Sequence, residues 1–128
     1  VRLLLDTHAL IWFCEGHSKL GKKARAALED TSNECFVSQA TPWEMAIKLS
    51  LGRLELRMGL EEFFPGVLNA NSFVFLESKV SHYAELARLP FHHRDPFDRL
   101  LVAQARVEEM VLVTCDGFAS DYGAPVLW

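Results

Sequence analysis

"RLLLDTHAL", residues 2–10, joins a short apolar run to an acid, and the acid to a second apolar run of different period. Three leucines in succession before a polar turn are what a strand buried on both faces requires. Residues 7–15, "THALIWFCE", are apolar almost all round and suit a buried helix. The alternation then repeats. "SKLGKKARAALED" (18–30) sets Leu20, Ala24, Ala27 and Leu28 on one face and Lys22, Lys23, Arg25 and Glu29 on the other, an amphipathic surface helix. "ECFVS" (34–38) is a second strand.

In "TPWEMAIKL", Thr41 is expected to cap a helix that starts at Pro42 and ends near Gly52, with Trp43, Ala46, Ile47 and Leu51 as its core stripe. Leu60, Phe63, Phe64, Val67 and Leu68 follow at helical spacing, and Pro65-Gly66 is expected to kink or break that helix. "SFVFL" (72–76) is a third strand. Val80, Tyr83, Ala84 and Ala87 stripe the next helix, which stops before Pro90. Asp95 as cap and Pro96 at the first position open a mostly apolar helix running to about Glu108. "MVLVT" (110–114) is a fourth strand and "PVLW" (125–128) a short fifth. Strands alternating with helices predict an α/β layer fold with a mainly parallel sheet.

The 128 residues amount to about one domain, 1–128, without repeats or linkers. Half are hydrophobic and 23% charged, a globular balance. No apolar run approaches the roughly 18 residues of a membrane span, and no signal peptide is visible, so a cytoplasmic protein is expected. Cys14, Cys35 and Cys115 are odd in number and lack ligand spacing. That argues against a zinc site or a disulfide framework and for buried core thiols. The net charge of −4 lacks the basic footprint usual in nucleic-acid binders.

Parallel α/β sheets place ligands outside the carboxyl ends of their strands. Asp6 follows the first strand and Asp116 the fourth, while Glu44 lies in the first turn of the helix after the second strand. Asp98 also opens a helix, but a strict strand–helix–strand path would put it at the far edge; the loop "LPFHHRD" must carry the chain back. Each acid has a plainer use. Asp6 can cap the helix at Thr7, Glu44 and Asp98 can close capping boxes, and Asp116 can cap a short helix at "GFASDYG". Capping does not explain four acids on one edge. Two carboxylates about 5 Å apart repel by roughly 3 kcal/mol at an effective dielectric near 20. Oxygen ligands without His or Cys at metal spacing suit Mg²⁺ or Mn²⁺, whose bound waters can be activated for attack on phosphorus.

Four segments in order, "LLLDTHALIW", "VSQATPWEMAIKLSLGRLEL", "LPFHHRDPFDRLLVAQA" and "LVTCDGFASDYGAPVLW", resemble the PIN domain of VapC-type toxins over essentially the whole chain. The resemblance implies a three-layer α/β/α sandwich with a roughly five-stranded sheet. It also implies a Mg²⁺- or Mn²⁺-dependent endoribonuclease, a cognate VapB-type antitoxin and a toxin homodimer. The family's acidic site falls on Asp6, Glu44, Asp98 and Asp116, with Asp6, Asp98 and Asp116 as the metal ligands. Cys115 stands where the family often has Arg or another polar residue, and Thr41 where Ser is common.

Setting the four site acids aside leaves the chain formally neutral, so RNA contact can rest on local cations, with Lys48, Arg94 and Arg99 as candidates. Lys48 can equally pair with Glu44 four residues before it. An all-oxygen site needs neither His92 nor His93. Two other functions compete. "LLLDT" also resembles the opening motif of haloacid-dehalogenase-like phosphohydrolases, in which Asp6 would be the nucleophile, but the second acid expected two residues on is His8. A non-catalytic PIN-like binding protein would keep the fold without the chemistry.

Overall fold

The computed structural model describes residues 1–128. Its centre is a five-stranded, wholly parallel sheet in the order β3-β2-β1-β4-β5, formed by β1 (Arg2–Leu5), β2 (Glu34–Ser38), β3 (Val74–Leu76), β4 (Val111–Val113) and β5 (Val126–Leu127). The three later strands are shorter than their apolar runs. β1 is central, with Leu3 opposite both Cys35 and Val111, and its three leucines are buried on two faces.

Alternation along the strands separates two cores. Leu3, Leu5, Cys35, Val37 and Val113 pack with side chains of α1 (Thr7–Glu15), α2 (Lys22–Glu29), α3 (Ala40–Ser50) and α4 (Leu60–Asn71). Leu4, Phe36, Leu76 and Leu112 pack with α5 (Val80–Arg88) through Leu86, with α6 (Pro96–Glu108) and with α7 (Phe118–Asp121). The result is the expected three-layer sandwich. No helix is long and apolar enough to cross a membrane.

α6 has the expected start: Asp95 accepts from the Phe97 and Asp98 N–H groups, and Pro96 occupies the first turn. α3 does not. It starts two residues off β2 at Ala40, whose N–H is taken by Ser38 Oγ. Thr41 is therefore inside the first turn and caps nothing. α4 runs unbroken through Pro65, because Pro65 and Gly66 face solvent while Phe63 and Phe64 are anchored in the core. The carbonyl that loses its partner there can be served by water.

The apolar stripes of α3 and α5 point the other way from expectation. Trp43, Ala46, Ile47 and Leu51 are exposed, and α3 buries Thr41, Glu44 and Met45 instead. Val80, Tyr83, Ala84 and Ala87 are exposed as well, and α5 turns His82, Leu86 and the following Leu89 inward. Cys35 is a core thiol, whereas Cys14 and Cys115 are exposed near element ends.

Candidate active site

All five strands are parallel, so their carboxyl ends share one edge, and Asp6 and Asp116 follow two adjacent strands there. Asp6 continues the ladder through its N–H to Val113 O at 3.1 Å. Its carboxylate is 3% exposed and accepts from Ala9 N at 2.7 Å, so it does cap α1. Burial pushes the Asp6 carboxyl up, and the nearby Asp116 charge adds to the rise; the Thr114 hydroxyl, the Ala9 N–H and His8 pull it down. Asp116 is exposed, and its N–H is held by Thr114 Oγ1 at 3.2 Å. It caps no helix: Gly117 is the residue before α7.

Glu44 comes to the same edge because α3 begins directly after β2. It is buried, and both oxygens are engaged: the Thr7 hydroxyl donates to Oε1 and the Lys48 ammonium lies 2.9 Å from Oε2. Asp98 arrives through an antiparallel pair of helices. His82 at the start of α5 contacts Glu108 at the end of α6, while Arg99 near the start of α6 donates to Leu86 O and Leu89 O at the end of α5. The loop between them therefore only has to turn, and α6 descends from the carboxyl edge into β4. Trp43 and Phe97, each one residue before a site acid, meet edge to face at 5.1 Å.

Burial pushes the Asp98 carboxyl up to about 6, with Asp95 and Glu44 adding repulsion and the His93 hydrogen bond opposing it. That bond joins His93 Nε2 to Asp98 Oδ2 at 2.9 Å. Sequence pattern alone does not point to this bond, because an all-oxygen metal site has no direct place for a histidine. The one hint in the sequence is proximity, His93 standing five residues before Asp98.

The three candidate cations have different surroundings. Lys48 is paired with Glu44. Arg99 is committed to the two α5 carbonyls and stacks over Phe91 at 4.1 Å. Arg94 is exposed and makes no ion pair. A groove of about 910 Å³ opens between α1, α2, α4 and residues 55–58, and none of the four acids lines it.

No three His, Cys, Asp or Glu side chains close onto one point. The donor set nonetheless suits a hard divalent cation held through few direct carboxylates and several waters, the habit of Mg²⁺. Asp6 beside Asp116, and Asp98 beside Glu44, are the two repelling pairs such a charge would relieve.

The PIN domain family profile matches residues 3–123. The chain belongs to the PIN domain family. Among solved structures, this PIN domain is similar to VapBC2 from Rickettsia felis bound to a DNA fragment from their promoter, with a TM-score of 0.70 at 14% identity over 99% of this chain and 98% of that one. It is also similar to FitAcB from Neisseria gonorrhoeae (TM-score 0.64, 18% identity, 98% and 96% coverage) and to FitAB bound to the IR36 DNA fragment (0.63, 18%, 98% and 93%). At such identities the likeness is one of fold. No curated protein sequence matches the chain significantly.

Proposed function

We propose that this PIN domain is a Mg²⁺- or Mn²⁺-dependent endoribonuclease, the toxin of a VapBC-type toxin–antitoxin pair. The observation that carries the proposal is the gathering of four acids from separate elements at one sheet edge, two of them with carboxyls pushed up by burial and by their neighbours. Folding tolerates such a cluster when a ligand of opposite charge repays its cost.

When bound, the divalent ion would polarise the phosphodiester and lower the pKa of a coordinated water. Asp6, Asp98 and Asp116 would hold it, directly or through water. Thr7 and Lys48 fix the position of the Glu44 carboxylate, leaving its remaining lone pairs to orient a water for in-line attack. Arg94, exposed beside the helix cap, is the cation best disposed to meet an RNA phosphate. Asp6 is a poor candidate for a covalent nucleophile, because the residue two positions on, where such sites carry a second acid, is His8.

Partners belong to the same reading. The VapBC2, FitAB and FitAcB neighbours support a cognate VapB-type antitoxin. The outward apolar stripe Trp43, Ile47, Leu51, with Trp43 64% exposed, supports a homodimer that covers α3. A cytoplasmic location goes with an RNA substrate.

The test is cleavage of single-stranded RNA by the purified, antitoxin-free protein in Mg²⁺ or Mn²⁺. Wild type should cut and stop on chelation, and Asp6→Asn and Asp98→Asn should each lose cleavage while remaining folded. Wild-type-like cutting by either variant would refute the assignment.

A further inference from the structure

The loop between α5 and α6 carries a histidine, His93, that the mechanism above leaves unused. The His93 side chain is 34% exposed, and its Nε2 sits 2.9 Å from Asp98 Oδ2. Three further contacts hold it there. Its ring stacks on Phe118 at 4.9 Å and 17°, and Phe118 lies two residues beyond Asp116. Its backbone N–H donates to Tyr122 Oη at 3.1 Å, and the same hydroxyl donates to Pro90 O at 2.7 Å. The neighbouring His92 ring packs on Tyr122 at 5.1 Å. The loop is thus strapped to α7 and the residues after it, and the imidazole spans the gap between the start of α6 and the turn that carries Asp116.

We infer that His93 is a positioning residue for Asp98: its Nε2–H fixes the carboxylate torsion by holding Oδ2, and Oδ1 is left to face the site. The helix start does not compete for that carboxylate, because Asp95 already serves the Phe97 and Asp98 N–H groups. A neutral imidazole with its proton on Nε2 makes this bond, so no change of charge is required. An aspartate side chain has two free torsions, and partners that hold a ligating carboxylate typically contribute 10–100-fold in metal affinity. The inference rests on the proposed metal-dependent nuclease, since the orientation of Asp98 matters only if it holds something.

Two substitutions separate the hydrogen bond from ring packing. His93→Phe keeps the stack on Phe118 and removes the donor; His93→Gln keeps a donor amide and removes the ring. With Mn²⁺ alone as probe, calorimetry should show affinity lowered about 10–100-fold in His93→Phe and largely restored in His93→Gln. The Mn²⁺ concentration for half-maximal RNA cleavage should move by the same factor, with the rate at saturating Mn²⁺ kept. Tyr122→Phe cuts the strap without touching the imidazole and should weaken Mn²⁺ binding in the same direction by less. Thermal melts establish that each variant is folded. If wild type binds Mn²⁺ and His93→Phe matches it, or if Phe and Gln weaken binding equally, the positioning role is wrong and the nuclease stands. If wild type takes up no Mn²⁺, the proposed function fails and this inference with it.

Discussion

Removing the Asp98 charge should make the metal-free protein more stable. Burial holds this carboxyl at about 6 against an ordinary 3.8. The folded chain therefore binds the proton more tightly than the unfolded chain, and the contribution to stability falls as pH rises through that window. The gap of about 2 units corresponds to about 3 kcal/mol at neutral pH. The side chain is 21% exposed, and solvent screening trims the figure to about 2 kcal/mol. For a domain of this size that is about 8 °C in Tm. Asp98→Asn keeps the shape and can still bond His93, so it removes the charge and little else. In chelator at pH 7.5 the variant should melt about 8 °C above wild type, and the gap should shrink to about a third at pH 4.5. Mn²⁺ should raise the Tm of wild type and leave the variant where it is. A variant that melts at or below wild type at pH 7.5, or a gap that does not change with pH, would refute the reasoning.

Three other outcomes follow from contacts away from the acids. Arg99→Ala frees Leu86 O and Leu89 O and loses the Phe91 stack, and should lower urea-measured stability by about 2–3 kcal/mol; Arg99→Lys should not rescue it, and a variant of unchanged stability with lost cleavage would return Arg99 to the substrate. His82, then Lys79, hold the Glu108 carboxyl below its ordinary 4.5, so its stabilisation is complete above that pH and is lost as pH falls through the lowered value. Glu108→Gln should accordingly unfold more easily than wild type at pH 6–7 and equally easily in strong acid, as followed by circular dichroism; equal stability at pH 7 would contradict this. Wild type should sediment as a dimer and the double variant Trp43→Ser, Ile47→Ser as a monomer; a wild-type monomer at high concentration would remove the proposed α3 interface.

Much of the fold is legible in local pattern. The leucine run of β1, the cap Asp95-Pro96 and the apolar body of α6 each point one way, and each element appears with the expected bounds. The helical period of α3 and α5 was also legible, but not its direction. A period shows that a helix has an apolar face and says nothing about whether that face meets its own sheet or another molecule. α3 buries Glu44 toward the edge, which leaves Trp43, Ile47 and Leu51 outside. Thr41 looked like a cap because Pro42 follows it, yet the serine at the end of β2 starts the helix earlier. The edge position of Asp6, Glu44 and Asp116 follows from a parallel sheet, whereas that of Asp98 depends on the antiparallel course of α5 and α6, which no local signal encodes. The role of His93 is not legible in the sequence, because it acts through a carboxylate and its bond to Asp98 forms only once the loop has turned.

The pairing of Leu3 with Val111, together with the Asp6 N–H on Val113 O, bears on how the protein is made. The central strand is synthesised well before one of its two neighbours, because more than a hundred residues separate Leu3 from Val111. Any nascent chain that stops short of β4 has an incomplete sheet and lacks Asp116, so the acids have no common edge on which to meet. The proposed cutting activity would then have to wait until β4 and the turn carrying Asp116 have been made.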